Sequence, residues 1–491
     1  MAGLFNALNA ARTSLEVNQK SIEIVGNNIS NVNTEGYSRQ HTELTPYPAV
    51  NFGDFFVGNG VKVENVRREH DVFLTDQIHE KSASLGFEKG QARSLKELER
   101  VFAIKNDNIA TDTDKFFDSW QELAASPADL VLRDTVIQWG NLLGTNFKNT
   151  INEIDKIESN INDEAISKID DINSQIAEIA ELNERIFNIE INGQHANSAR
   201  DQRDTLAKSL AQSIGAQNYE DNKGMMAVQL PGGLPLVAGN MGMEIEAATS
   251  GADLEIKLHA AGTTRTLNDR NLGGEMAGLF HVKNTVIPEV KDELDQLAYT
   301  IAMEVNAIHG GGTGLNGTVY EGGAGLDGQV GDFFNQPPNL GGAVDASKPA
   351  WYGAARDLSV AITKAESVAA GAKPKTAGDP AAPGDNTNAL TMSNLGETVT
   401  VPPPPGTSID TFNSFYGKLV ARMGLAVNHN ELQMKGAQDA MVQLENANDG
   451  MVGVSLEEEM ISLIQYQRGF ESSAKFLSTV DELMNSLINI K

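Results

Sequence analysis

From Leu4 onward, apolar side chains recur at steps of mostly three and four: Leu4, Leu8, Ala11, Leu15, Ile22, Val25, Ile29 and Val32, with Asn18 as the polar break in the stripe. The far end of the chain repeats the pattern with Leu456, Met460, Leu463, Phe470, Ala474, Leu477, Met484 and Leu487, and Gln467 sits on the seam. Such a repeat gives a helix one narrow apolar stripe, which must find another helix. The two termini are therefore expected to meet as a coiled coil. Asn18 and Gln467 either set its register or face solvent. A lone helix of this length is marginal in water, so both ends are expected to become fully ordered only when neighbouring chains cover their remaining faces. That suits a subunit stacked in a tube.

Between the ends the texture changes several times. The first helix is expected to stop in NNISNVNTEGYSRQ, where Gly36 suits a turn. Short extended runs and turns fill 36–75, and helix returns over 76–107. The segment SPAD at 126–129 reads as a helix start with Ser126 as cap. Isoleucines at helical steps then predict one or two long helices to about residue 191, followed by SARDQRDTLAKSLAQSI. From about 215 the pattern alternates as half-buried strands do, with a hairpin around Pro231-Gly232-Gly233. Helix is expected again over 275–308 and from Ser408 or Asp410 to about 446, after the stiff linker VPPPPG at 401–406. Ser455 and Glu458 are spaced as a capping box for the last helix.

The expected fold is mainly α with a β-containing inserted domain, in nested, discontinuous domains. Residues 1–38 and 450–491 form the terminal coiled-coil domain. Residues 39–214 and 406–449 form a helical domain with a short β/loop excursion, and 215–405 form an inserted mixed α/β outer domain.

Charge and chemistry narrow this further. A net charge of −28 argues against nucleic acid and anionic membrane surfaces. No apolar run is long enough for membrane insertion. The complete absence of cysteine excludes disulfides and thiol chemistry, and fits a chain that passes unfolded into oxidising surroundings. The N-terminus lacks the basic start and continuous apolar core of a secretory signal peptide. Gly312-x-Gly314-x-x-Gly317 has dinucleotide-loop spacing, but a helix precedes it where a strand is required. His79-Glu80 begins like a zinc-protease motif, yet Ala83 stands where the second histidine belongs. The eight histidines show no ligand spacing. Asp201, Arg203 and Asp204 in DQRD read as a local charge network in a structural role. No catalytic, metal or cofactor site is expected.

Asn27, Asn28, Asn31, Thr34, Gly36, Tyr37 and Arg39, placed after an amphipathic helix, strongly resemble the N-terminal signature of bacterial flagellar rod, hook and hook-associated proteins. The C-terminal run from Ser455 to Phe470 resembles the partner signature. SARDQRDTLAKSL at 198–210, the stretch 273–309, GDFF at 331–334 and GDNTNALTM at 384–392 are similar to hook-associated members. The resemblance implies a secreted structural subunit that leaves through the flagellar type III export channel and joins hook to filament. Its implied partners are further copies of itself, the hook protein, the next hook-associated protein and an export chaperone on the C-terminal helix. Alternatives are another axial protein (hook protein or flagellin-like), or an enzyme or adhesin carried on the same scaffold.

Overall fold

A computed structural model of the protein describes residues 2–489 apart from 52–55, 104–107, 222, 251–252, 261, 269, 316–330, 373–381 and 399–409. In chain order the elements begin α1 (Ala2–Ser30), β1 (Gln40–Pro46), β2 (Val50–Asn51), β3 (Phe56–Val57), β4 (Val61–Arg68), α2 (Val72–Ala103), α3 (Ile109–Ala125), α4 (Leu130–Glu190) and α5 (Asn197–Ile214). A β region follows: β5 (Gln217–Glu220), β6 (Met226–Leu230), β7 (Leu234–Ala238), β8 (Met241–Gly242), β9 (Glu244–Ser250), β10 (Asp253–Ala260) and β11 (Thr263–Leu267). Then come α6 (Gly274–His281), a π turn at Val282–Val286, α7 (Ile287–His309), β12 (Gly312–Thr313), α8 (Ala354–Asp357), β13 (Gly371–Ala372), α9 (Thr387–Leu395), α10 (Phe412–Val452) and α11 (Leu456–Ile488). The chain is mainly helical, and its first and last long helices pair.

Two compact units result, both discontinuous in sequence. The first comprises 1–90, 165–278 and 433–491, and the second 91–164 and 279–432. In the first, the isoleucine stripe of α4 (Ile169, Ile172, Ile176, Ile179 and Ile186) is buried, and the strand residues Val228, Leu236, Ile245 and Ile256 are buried with it. The strands make one antiparallel sheet in the order β5-β6-β7-β8 and another in the order β11-β10-β9. Pro231-Gly232-Gly233 joins β6 to β7, as the hairpin spacing predicts.

The second unit is built around aromatic rings. Phe116 and Trp120 of α3 meet Phe333, with centroids 5.5 and 5.8 Å apart, and Phe117 stacks on Phe412 at 5.6 Å. The expected elements do not include α3, although Ile109, Phe116, Trp120 and Leu123 lie at helical spacing on one buried face. Asn108 caps it by accepting a hydrogen bond from the Thr111 N–H at 2.8 Å. Ser126 closes α3 rather than starting α4. Asp129 takes the capping role instead, accepting from the Val131 N–H at 2.7 Å. Pro288 follows directly on the π turn at Val282–Val286, inside a helix that runs unbroken from α6 into α7, so its missing N–H falls where the hydrogen-bond ladder is already shifted. Gly317 and the polyproline linker lie outside the described residues.

His309 is fully enclosed in this aromatic cluster, 1% exposed. Its Nδ1 pairs with the Gly331 carbonyl, and its Nε2 accepts the Ala369 N–H at 3.0 Å. That pattern requires a neutral ring, and burial pushes its pKa down to about 4. The unfolded chain, titrating near the ordinary value, takes up a proton first as pH falls. Stability of the second unit should therefore drop as pH falls from about 6.5 toward 4, by about 3 kcal/mol over the window. Thermal melts across that range check this. A His309→Asn variant, even if less stable throughout, should show a flatter slope.

Candidate assembly interface

α1 and α11 run antiparallel. Ser14 Oγ lies 2.8 Å from Ser473 Oγ, and four residues further along α1 Asn18 lies against Gly469, four residues back along α11. Ten residues further, Asn28 Nδ2 donates to Glu459 Oε2 at 3.0 Å. One register thus holds for the length of the seam. A Cβ built on Gly469 would lie 2.6 Å from Asn18 Oδ1, so a larger residue there would have to displace the Asn18 amide. Asn18 is also bonded within its own helix, donating to the Ser14 carbonyl at 2.8 Å. The seam is narrow and rich in small and polar side chains.

Its upper end is a hydrogen-bonded knot centred on Asn28, which is 1% exposed. Asn28 Oδ1 accepts from the Tyr37 hydroxyl at 2.8 Å and the Gln40 N–H at 3.0 Å. Its Nδ2 donates to the Gln40 carbonyl at 2.8 Å as well as to Glu459. Glu459, also 1% exposed, receives Arg39 Nε at 2.7 Å, and Arg39 Nη1 reaches Glu458 at 3.0 Å. A buried carboxylate is tolerated when ionic and amide donors both satisfy it. The Arg39 N–H donates to the Val452 carbonyl at 2.9 Å, which ties the start of β1 to the end of α10. Ser455 is the N-cap residue of α11 but makes no side-chain cap bond, and Glu458, the other half of the expected capping box, turns outward to Arg39.

The signature residues before and after Asn28 shape the turn that leads out of α1. Asn27 Nδ2 donates to the Tyr37 hydroxyl at 3.3 Å, Asn31 Nδ2 to the Asn27 carbonyl at 2.9 Å, and Thr34 Oγ1 to Asn31 Oδ1 at 3.2 Å. Gly36 has φ of 75°, and a Cβ there would lie 2.4 Å from Thr205 Oγ1 on α5. Burial, helped by Asp201 and Glu459, pushes the Tyr37 hydroxyl up to about 12, so it stays a donor.

The DQRD residues join this knot from α5, but not as a local network. Asp201 accepts from the Ser38 N–H at 3.3 Å and pairs with Arg68 at 2.7 Å, and Asp204 pairs with Arg68 at 2.6 Å. Arg203 turns the other way, donating to Asn183 at 3.0 Å, the Gly224 carbonyl at 2.8 Å and Glu220 at 2.7 Å. The spacing of DQRD gives no sign of Arg68, which comes from the distant strand β4.

The predicted stripes lie beside the seam more than on it. On α1, Ala11 and Val25 are buried, while Leu4, Leu8, Leu15, Asn18, Ile22 and Ile29 are half-buried, as is Val32 in the turn that follows. On α11, Leu463, Ala474, Leu477 and Met484 are half-buried, Leu456, Met460, Gln467 and Phe470 are exposed, and the side chain of Leu487 lies outside the described residues. The residues that α11 buries are Glu459 and Val480. Met460 follows Glu459 by one residue, so it points about 100° away from the seam. Ile461 and Ile464 are exposed beside it. Apolar periodicity overlooked Glu459, Gly469 and Ser473, because small and charged residues carry no hydrophobic signal.

Three family models match the chain. They are a flagella basal body rod protein model over residues 6–37, the helical domain of flagellar hook-associated protein FlgK over 95–327, and a flagellar basal body rod FlgEFG protein C-terminal model over 450–490. Flagellar hook-associated protein 1 of Bacillus subtilis is 26% identical, covering 100% of this chain and 99% of the relative. That of Escherichia coli is 24% identical over 99% of each. The solved flagellar hook junction protein FlgK from Burkholderia pseudomallei shares the fold, with a TM-score of 0.62, 17% identity, and coverage of 77% of this chain and 100% of that one.

Two substitutions test the knot. Asn28→Ala removes bonds to Tyr37, Gln40 and Glu459 and leaves a buried carboxylate short of donors. It should cost about 2–4 kcal/mol in urea denaturation. Gly36→Ala should cost about 1–3 kcal/mol, from a left-handed backbone and a clash with Thr205.

Proposed function

We propose, for a chain that belongs to the hook-associated family of flagellar axial proteins, that it is a structural and non-catalytic subunit joining hook to filament. In this reading residues 1–38 and 450–491 pack as the coiled-coil wall of an inner tube. Residues 39–214 with 406–449 form the helical domain around it, and 215–405 form the outer insertion. The partners are further copies of the same chain, the hook protein on one side and the next hook-associated protein on the other. An export chaperone holds α11 before secretion through the flagellar type III channel.

The observation that carries this reading is the uncovered apolar surface on α11. Leu456, Met460, Ile461 and Ile464 stay between 46 and 66% exposed while the same helix is docked on α1. A long helix with one face satisfied by a polar, small-residue seam and another left apolar is built for a second neighbour. The lack of cysteine leaves no disulfide to hinder passage through an export channel. The predicted stripe residues Leu456, Met460, Leu463, Phe470 and their α1 counterparts are then assembly contacts, made between subunits as well as within one.

Deleting the gene should give cells that build hooks but shed unpolymerised flagellin into the medium. Normal filaments in the deletion strain would refute the junction role. A Met460→Glu, Ile464→Glu double variant should melt like the parent chain as a monomer, yet fail to restore filaments. Full restoration would show that this face is not an assembly surface. Amide exchange on the free chain should find residues 4–15 less protected than 21–29, which the Asn28 contacts anchor.

A further inference from the structure

Besides α11, the hairpin that follows α1 leaves apolar side chains uncovered. Its ladder, β1 with β4, runs down α1 toward the N-terminus of that helix. Gln40 bonds Asn28 through both its N–H and its carbonyl, and Ser21 Oγ lies 3.2 Å from Thr42 Oγ1. Further along, a Cβ built on Gly60 would meet Thr13 and Ala10. Beyond the bond from the Tyr47 N–H to the Gly60 carbonyl, at 3.0 Å, the hairpin continues as the two-stranded arm β2–β3. Val50 and Val57 are exposed on this arm, and Phe56 is 73% exposed. A two-stranded ribbon is marginal in water, and its apolar side chains help it only when something covers them.

The uncovered face of α11 lies at the other end of α1. Glu459 meets Asn28 while Gly60 meets Thr13, so about 20 Å of α1 separates the two levels, and the arm lies further still. The arm of one chain therefore stays clear of that chain's own α11 face. Glu457, Met460, Ile461 and Ile464 are spaced i, i+3, i+4 and i+7, which puts all four on one side of the helix. The charges match as well. Glu457 is exposed within that face, and Lys62 is exposed at the base of the arm, opposite Thr45. Neither has an ion pair among the described residues.

We propose that the arm β2–β3 of one copy seats on the Met460–Ile464 face of α11 in the next copy, with Phe56 among the aliphatic side chains and Lys62 beside Glu457. This rests on the reading of that face as an assembly surface, and it names what covers the face. Copies in a tube share one direction, so an arm and a face at different levels join head to tail. Such a contact leaves a free arm at one end of a row and a free face at the other, and the row can grow.

Cysteine cross-linking tests the contact, since the chain has no cysteine of its own. Flagella are isolated from a strain making only the Phe56→Cys, Ile461→Cys chain, mildly oxidised, and run on a gel without reductant. A ladder of dimers, trimers and larger species is expected, with monomer alone from either single variant. A dimer from one single variant, a dimer and nothing larger from the double, or no cross-link in assembled flagella would each overturn the contact. Where the double variant does not assemble, charge reversal decides. Lys62→Glu should lower filament number at least several-fold by facing Glu457 with a like charge, and adding Glu457→Lys should restore it. An unchanged number, or no restoration, overturns the pairing. The Met460→Glu, Ile464→Glu chain tests the assembly reading separately, because it loses filaments whatever covers the face.

Discussion

The fold of the first unit depends on one buried contact between residues at opposite ends of the chain. Asn28 and Glu459 meet inside the protein, each about 1% exposed, and neither could stay there alone. An amide without partners, or a carboxylate without donors, costs more than the helices around it return. The contact is therefore all or nothing. With Arg39, Tyr37 and the Gln40 backbone in place every group is satisfied, and α1, β1 and α11 are held in a single register. Hydrogen bonds, being directional, fix that register more sharply than an apolar seam would.

This choice explains why the helix pair leaves so much apolar surface uncovered. The seam uses serine, asparagine and glycine, so the aliphatic side chains of α11 are free to face elsewhere. Within one subunit the polar seam specifies alignment, and the apolar flank of Leu456, Met460, Ile461 and Ile464 is left exposed. The turn after α1 extends the same logic, because Gly36 lets α5 approach closely and bring Asp201 to the Ser38 backbone.

Much of this was legible along the chain. The long amphipathic helices are plain because each repeats its apolar positions many times, and the β6–β7 hairpin announces itself through Pro231-Gly232-Gly233. Helix ends were less legible. Ser126 and Ser455 both have cap-forming side chains, yet Asp129 starts α4 and Glu458 leaves its box for Arg39. A helix start is a contest between neighbouring acceptors for the same backbone donors, and at α4 it is Asp129 that takes them. α3, which the expected elements omit, does carry a helical stripe in Ile109, Phe116, Trp120 and Leu123, but the rings it meets, Phe333 among them, lie far along the chain.

By itself the sequence determined where the long helices run, that the two termini carry matching stripes, and that the Asn-rich signature turns the chain out of α1. Local spacing and turn chemistry suffice for those, since each is decided within a few residues. Only the tertiary structure decided which side of α11 faces α1, that Glu459 is buried, and that DQRD serves Arg68 rather than itself. An apolar stripe says that a helix needs company, but one residue of rotation moves the contact by about 100°, and on α11 the apolar Leu456, Met460, Ile461 and Ile464 are not the side that meets α1. What selects among such rotations is the geometry of hydrogen bonds between groups far apart in the chain, and that geometry exists only once the chain has folded.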